Sequence, residues 1–167
     1  VESVLAQLQP HDELLIIDDA STDSSPRWLA QLDDARVRIL RQPAWECLAS
    51  FITSSLKQVP HIRKISLTLR ERFGHPAPAA ELPPQWTYPT PEALAQAGEA
   101  ALRACGLGYR AAFLHRTACD ISEGHFDFAG IAQLPDEAAR AALCQLHGVG
   151  EKIANCALLF GWQRLAA

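Results

Sequence analysis

Apolar residues recur at helical spacing through most of this chain and run without interruption, as in a strand, only near its start. Val1, Val4, Leu5 and Leu8 fit the last turns of an amphipathic helix closed by Pro10. The run Glu13-Leu14-Leu15-Ile16-Ile17-Asp18-Asp19 has the apolar centre of a strand buried on both faces, with acids at its carboxyl end. Turn and cap residues from Ser21 to Asp23, then Pro26 and an apolar face of Trp28, Leu29 and Leu32, predict a helix. Val37 to Leu40 predict a second strand.

From Trp45 onward every element reads as helical. Trp45 to Ser55 form one helix; Pro60 opens a second, Ile62 to Phe73, which Gly74 stops. Thr90 caps a helix that begins at Pro91, residues 111–123 form another, and Phe126 to Leu134 make a short amphipathic piece. Asp136 is the expected cap of Glu137 to Leu146, and a last helix runs from Gly150 through Phe160. Residues 75–91 hold six of the eleven prolines, which predicts an extended connection, pinned to the helices by Trp86 and Tyr88. The expected fold is mainly α, a helical domain over residues 43–167 preceded by a small α/β segment over residues 1–42.

Composition narrows the possibilities. With 167 residues and 49% hydrophobic content the chain can bury a core, in one domain or two small ones. No apolar run approaches the ~18 residues that span a bilayer, and Val1-Glu2-Ser3 lacks the basic and apolar regions of a secretion signal. A cytoplasmic monomer without membrane contact is the expectation. Five cysteines, with no Cys-x-x-Cys pair, read as buried thiols, and His115 and His125 have no second ligand at metal spacing. The chain contains no methionine, which suggests that it begins inside a longer reading frame. The net charge of −4 argues mildly against a nucleic-acid partner, but it is unevenly placed: residues 1–42 hold eight acids against four Lys/Arg, and the remainder holds eleven of each.

The chemistry concentrates in Leu146-His147-Gly148-Val149-Gly150-Glu151-Lys152. Two glycines around a valine allow a turn tight enough to bare its backbone amides, and amides at a helix start attract phosphate. Lys152 falls in the first turn of that helix, and a free amine is a nucleophile. The same residues also suit an ordinary corner between helices with an exposed lysine. A second glycine pair stands in Gly106-Leu107-Gly108-Tyr109-Arg110-Ala111, where an aromatic ring can replace a lost stacking partner and a guanidinium offers paired donors.

Together with Trp45-Glu-Cys-Leu-Ala-Ser-Phe-Ile-Thr-Ser-Ser55, these motifs resemble the helix-hairpin-helix DNA glycosylase superfamily of the 8-oxoguanine type over residues 43–167. The resemblance implies a base-excision repair enzyme, a glycosylase and abasic-site lyase, that flips a damaged base out of double-stranded DNA. It implies Lys152 as the nucleophile at C1′, Cys156 one turn later as a wall of the base pocket, and Gly148, Val149 and Gly150 as phosphate binders. Tyr109 would wedge beside the lesion and Arg110 would contact the orphaned base. Leu56 and Gln58 would fill the gap in the stack, although many relatives carry asparagines where this chain has Leu56-Lys57-Gln58. No cofactor is required; the carbonyls of Cys144, Leu146 and Val149 would hold a monovalent cation. His147 replaces a usual proline, which is expected to loosen the turn. The family's transition-state aspartate, some twenty residues after the lysine, would lie beyond Ala167, so excision of an intact base is expected to be impaired. Such a protein would be bacterial and nucleoid-associated.

Near the start, Leu15-Ile-Ile-Asp18-Asp19-Ala-Ser21-Thr-Asp23-Ser-Ser resembles the nucleotide-binding segment of family 2-type glycosyltransferases over about residues 1–43. That likeness implies Asp18, Asp19, Ser21 and Asp23 as contacts to a nucleotide sugar. The alternatives to a repair enzyme are therefore a fragment of a sugar transferase and a helix-hairpin-helix DNA-binding module without catalysis.

Overall fold

The structure, a computed structural model, describes residues 2–17, 28–29, 31–40, 42–54, 57–76, 86–162 and 164. It is mainly helical. A short helix α1 (Glu2–Leu5) leads to strand β1 (Leu14–Ile17), which pairs in parallel with β2 (Val37–Leu40), Leu14 opposite Val37 and Ile17 opposite Leu40. Parallel neighbours need a crossover between them, and residues 28–29 are helical within it. Leu14 and Ile16 are half-buried rather than enclosed on both faces, because among the described residues the sheet has two strands. Arg36 closes this unit: its guanidinium makes a paired contact to Asp34 at 2.7 and 3.0 Å and donates to the Leu8 carbonyl at 2.9 Å.

The clustered core starts at Leu48 and continues to Leu158. Helix α2 (Ala44–Ser54) buries Leu48, Ala49 and Ile52 against α7 (Glu151–Trp162). The two come close because Gly161 has no side chain: a Cβ there would stand 3.0 Å from the Ala44 Cα. Phe51 stacks on Phe160 at the same crossing, with centroids 5.7 Å apart. Helix α3 (Val59–Phe73) begins one residue before Pro60, whose missing N–H costs nothing in a first turn, and ends at Gly74. Gly74 is required by space rather than by φ, since a Cβ would lie 2.1 Å from the Thr87 carbonyl oxygen. Trp86 bridges to Pro76 and its carbonyl accepts from Arg70 at 3.1 Å, which pins the far end of the proline-rich connection.

Helix α4 (Pro91–Leu102) starts with the expected cap, the Thr90 hydroxyl accepting from the Ala93 amide at 3.3 Å. It is interrupted at Gly98, which has φ 79°, a break that the apolar periodicity did not predict. A wide turn (Arg103–Leu107) then delivers the chain to α5 (Arg110–Ser122), which packs along α4. A single 3-10 turn (Gly130–Gln133) precedes α6 (Asp136–Leu143). Two expectations are corrected here. Asp136 is not a cap but the first helical residue, and its carboxylate pairs with Arg164 at 3.1 Å. The helix also ends at Leu143 rather than Leu146, the chain continuing in tight turns that bond Gln145 to Ala142 and Leu146 to Leu143.

Candidate nucleic-acid interface

The hairpin joins α6 to α7 through residues 144–150. Gly148 adopts φ 77°, and a Cβ on it would meet the Phe113 side chain, Cβ and ring edge, at 2.7–2.9 Å, so both conformation and space demand glycine. Gly150 has ordinary φ and open space around it; its carbonyl accepts the Ala154 amide at 2.9 Å, which starts α7. His147 is exposed, yet the turn around it is held: the buried Thr117 hydroxyl donates to the His147 carbonyl at 3.1 Å. Across the two helices Arg140 Nε donates to Asn155 Oδ1 at 2.6 Å, which fixes α6 against α7. Val149 is buried and anchors the hairpin in the core.

Lys152 stands in the first turn of α7, exposed, and among the described residues it makes no ion pair or hydrogen bond. Cys156 lies one turn further along and is half-buried. Burial, then the charge of Glu151, pushes the Cys144 thiol up. Among the described residues the Cys144 and Val149 carbonyls accept no hydrogen bond, while Leu146 accepts one from the Val149 amide at 3.2 Å. Unpaired carbonyl oxygens are the donor type that suits a monovalent cation. No group of three or more His, Cys, Asp or Glu able to hold a metal occurs among the described residues.

Tyr109 is 57% exposed and projects from the second glycine turn, where Gly106 (φ 87°) and Gly108 (φ 64°) occupy the left-handed region. Its ring meets Phe113 edge-on at 5.9 Å. Arg110 is turned inward: it is 8% exposed, lies over the Tyr109 ring at 5.0 Å and donates to the Ile52 carbonyl at 3.3 Å. In this arrangement it braces Tyr109 and the end of α2. Gln58 sits at the start of α3 without making a side-chain cap. Leu56, and the acidic group Asp18, Asp19, Ser21 and Asp23, lie outside the described residues.

Four residues that build this face were not singled out from sequence: Phe113, Thr117, Arg140 and Asn155. A signal for two of them existed. Tyr109, Phe113 and Thr117 are spaced four apart and so line one stripe of α5, the stripe that carries the hairpin. The pair Arg140 and Asn155, separated by a turn, left no local trace.

Two helices joined by a glycine hairpin, seated on a third helix that presents an exposed tyrosine after a glycine turn, define a helix-hairpin-helix domain. The helical part of this chain belongs to the helix-hairpin-helix DNA glycosylase superfamily. It is 33% identical over 148 residues to the N-glycosylase/DNA lyase of Saccharomyces cerevisiae, a match covering 82% of this chain and 39% of that protein. It is 29% identical over 141 residues to the N-glycosylase/DNA lyase OGG1 of Arabidopsis thaliana, covering 78% of this chain and 36% of the relative. The solved structure of Clostridium acetobutylicum 8-oxoguanine glycosylase/lyase, in complex with double-stranded DNA containing cytosine opposite 8-oxoG, aligns with TM-score 0.72 at 31% identity. That alignment covers 79% of this chain and 45% of the other. The chain thus spans about two fifths of the length of the curated relatives it matches. The family model of glycosyl transferase family 2 matches residues 1–54. The end of that match falls in α2, whose Leu48, Ala49 and Ile52 belong to the helical core.

Proposed function

We propose that residues 43–167 form the DNA-gripping and lysine-bearing part of a base-excision repair glycosylase and abasic-site lyase acting on oxidised purine, 8-oxoguanine in the first place. The observation that carries this reading is the exposed, unpaired Lys152 directly after a hairpin locked by Phe113 and Thr117, on the same side of α5 as the exposed Tyr109. The Gly148 and Gly150 amides would receive a DNA phosphate, the Val149 amide being turned to the Leu146 carbonyl, and Tyr109 would support the stack where a nucleotide has left it. The Cys144, Leu146 and Val149 carbonyls would hold a monovalent cation, which when bound supplies positive charge facing that phosphate. Cys156, on the Lys152 face, would border the extruded base, and Leu56 and Gln58 would occupy the vacated place. A cytoplasmic, nucleoid-associated location follows from this reading; among the described residues no helix is long and apolar enough to cross a membrane.

Lys152 can be tested without the base-cleavage step. With an abasic site already present, its amine adds to the C1′ aldehyde, the addition product loses water to give an imine, and borohydride delivers hydride to leave a stable secondary amine. Borohydride should therefore trap a covalent complex with abasic duplex DNA, abolished by Lys152→Ala and weakened by raised salt as phosphate contacts are lost. Equal trapping by Lys152→Ala would assign the reaction to Lys57 or Lys64 and remove the catalytic reading. Duplex binding without any trapping would leave a non-catalytic DNA-binding module.

A further inference from the structure

A cleft of about 370 Å³ opens between α3 and the wide turn, away from the hairpin. His61, Lys64, Thr68 and Arg72 line one wall, and the backbone around Gly106 lines the other. Among the described residues no carboxylate lines it, and none pairs with His61, Lys64 or Arg72. Among the described residues Arg72 reaches only the Cys105 sulfur, at 3.8 Å, a weak acceptor. At the mouth Lys57 Nζ donates to the Gly106 carbonyl at 3.2 Å, adding a further cation. In a protein of net charge −4, an acid-free row of bases is a selective feature rather than a general surface property.

The spacing is as informative as the charge. Positions 61, 64, 68 and 72 fall on one face of α3, and from His61 to Arg72 the helix rises about 16 Å. A DNA strand carries a phosphate about every 3.4 Å of duplex axis, so a row of this length spans more than one phosphodiester. Gly106 forms the facing wall with φ 87°, the left-handed backbone that favours glycine, and its Cα side faces His61 across the cleft, where a Cβ would make ordinary contact with Nε2 at 3.6 Å. The same turn carries Tyr109 three residues later.

We propose that this cleft is a second backbone-binding site, taking consecutive phosphodiesters of the DNA strand that runs past Tyr109, with Lys64 and Arg72 as its main cationic contacts. The inference rests on the DNA-repair reading above and adds a contact independent of the hairpin.

The test is the salt dependence of duplex binding, measured by fluorescence anisotropy for the full chain. Lys64→Gln/Arg72→Gln, both at exposed positions, should make the slope of log affinity against log salt shallower by nearly 2, about 0.9 for each lost phosphate contact. Arg63→Gln removes a charge from α3 outside the cleft and should leave the slope unchanged. Failure of the unmodified chain to bind duplex at all would overturn the repair reading itself. Normal binding with an unchanged slope in the double variant would overturn the cleft alone. Saturation of Lys64 and Arg72 by micromolar inorganic phosphate in NMR titrations, with the DNA slope unmoved, would replace the strand by a free anion and equally overturn it.

Discussion

The hydroxyl of Thr117 donates to the carbonyl of His147 at 3.1 Å, tying a fully buried side chain of α5 to the tip of the glycine hairpin. This bond answers the expectation that a histidine in place of proline would loosen the turn. Proline restrains a turn through its own ring. Here the restraint comes from a neighbouring helix, through the carbonyl that any residue at that place would carry.

Thr117→Val keeps shape and removes the donor, so it should cost about 1 kcal/mol of stability, the net worth of one hydrogen bond. Gly148→Ala should cost more, roughly 2–4 kcal/mol, because a left-handed backbone and an overlap with Phe113 both oppose the added methyl. Chemical denaturation of the two variants would measure these losses. A Gly148→Ala protein as stable as its parent would show that the hairpin is not seated on Phe113.

Tyr88 makes the opposite case. Its hydroxyl is buried with no hydrogen-bond partner among the described residues, and burial, then the charge of Glu46, holds its ionisation far above the ordinary tyrosine range. Its ring lies under the Arg70 guanidinium at 5.4 Å, and Arg70 is paired with Glu46. Tyr88→Phe keeps the ring and removes an unsatisfied polar atom, so thermal unfolding should shift upward by the equivalent of about 1 kcal/mol. Tyr88→Ala should lose about 3 kcal/mol. A destabilised Tyr88→Phe would reveal a partner for the hydroxyl.

Asp34 provides a pH test of the strand pair. Hydrogen bonds from the Arg36 side chain, then from its backbone amide, lower its pKa from 3.8 to about 2. A depressed carboxylate stabilises the folded form fully above its unfolded value, and that contribution fades as pH falls from 3.8 through about 2. NMR titration should find the Asp34 carboxyl midpoint near the lower figure in the parent and higher, though still below 3.8, in Arg36→Gln, because the backbone amide at position 36 still donates to the carboxylate. Equal midpoints in both proteins would dissolve the pair.

How far the sequence alone carried this reading depended on how local each cause was. The hairpin was legible because a left-handed turn leaves glycine in the sequence, and the Pro91 helix because its Thr90 cap lies within the same turn. The end of α6 was not, since apolar Leu146 continues the helical spacing while the backbone has already turned. Asp136 had the composition of a cap but is drawn to Arg164, which also binds the carbonyls of Ile131, Ala132 and Leu134 at 2.6–3.0 Å. Such a choice depends on a side chain 28 residues away. The position of Arg110 likewise depends on distant residues, since its guanidinium donates to the Ile52 carbonyl 58 residues away.

Phe113 touches two things at once: its ring receives the bare face of Gly148 and the edge of Tyr109. One benzene ring therefore acts as the gauge block of a caliper, with the glycine hairpin on one jaw and the exposed tyrosine ring on the other. A leucine at this position would shorten the block without emptying the core, and the protein would stay folded while its two jaws stood at the wrong separation.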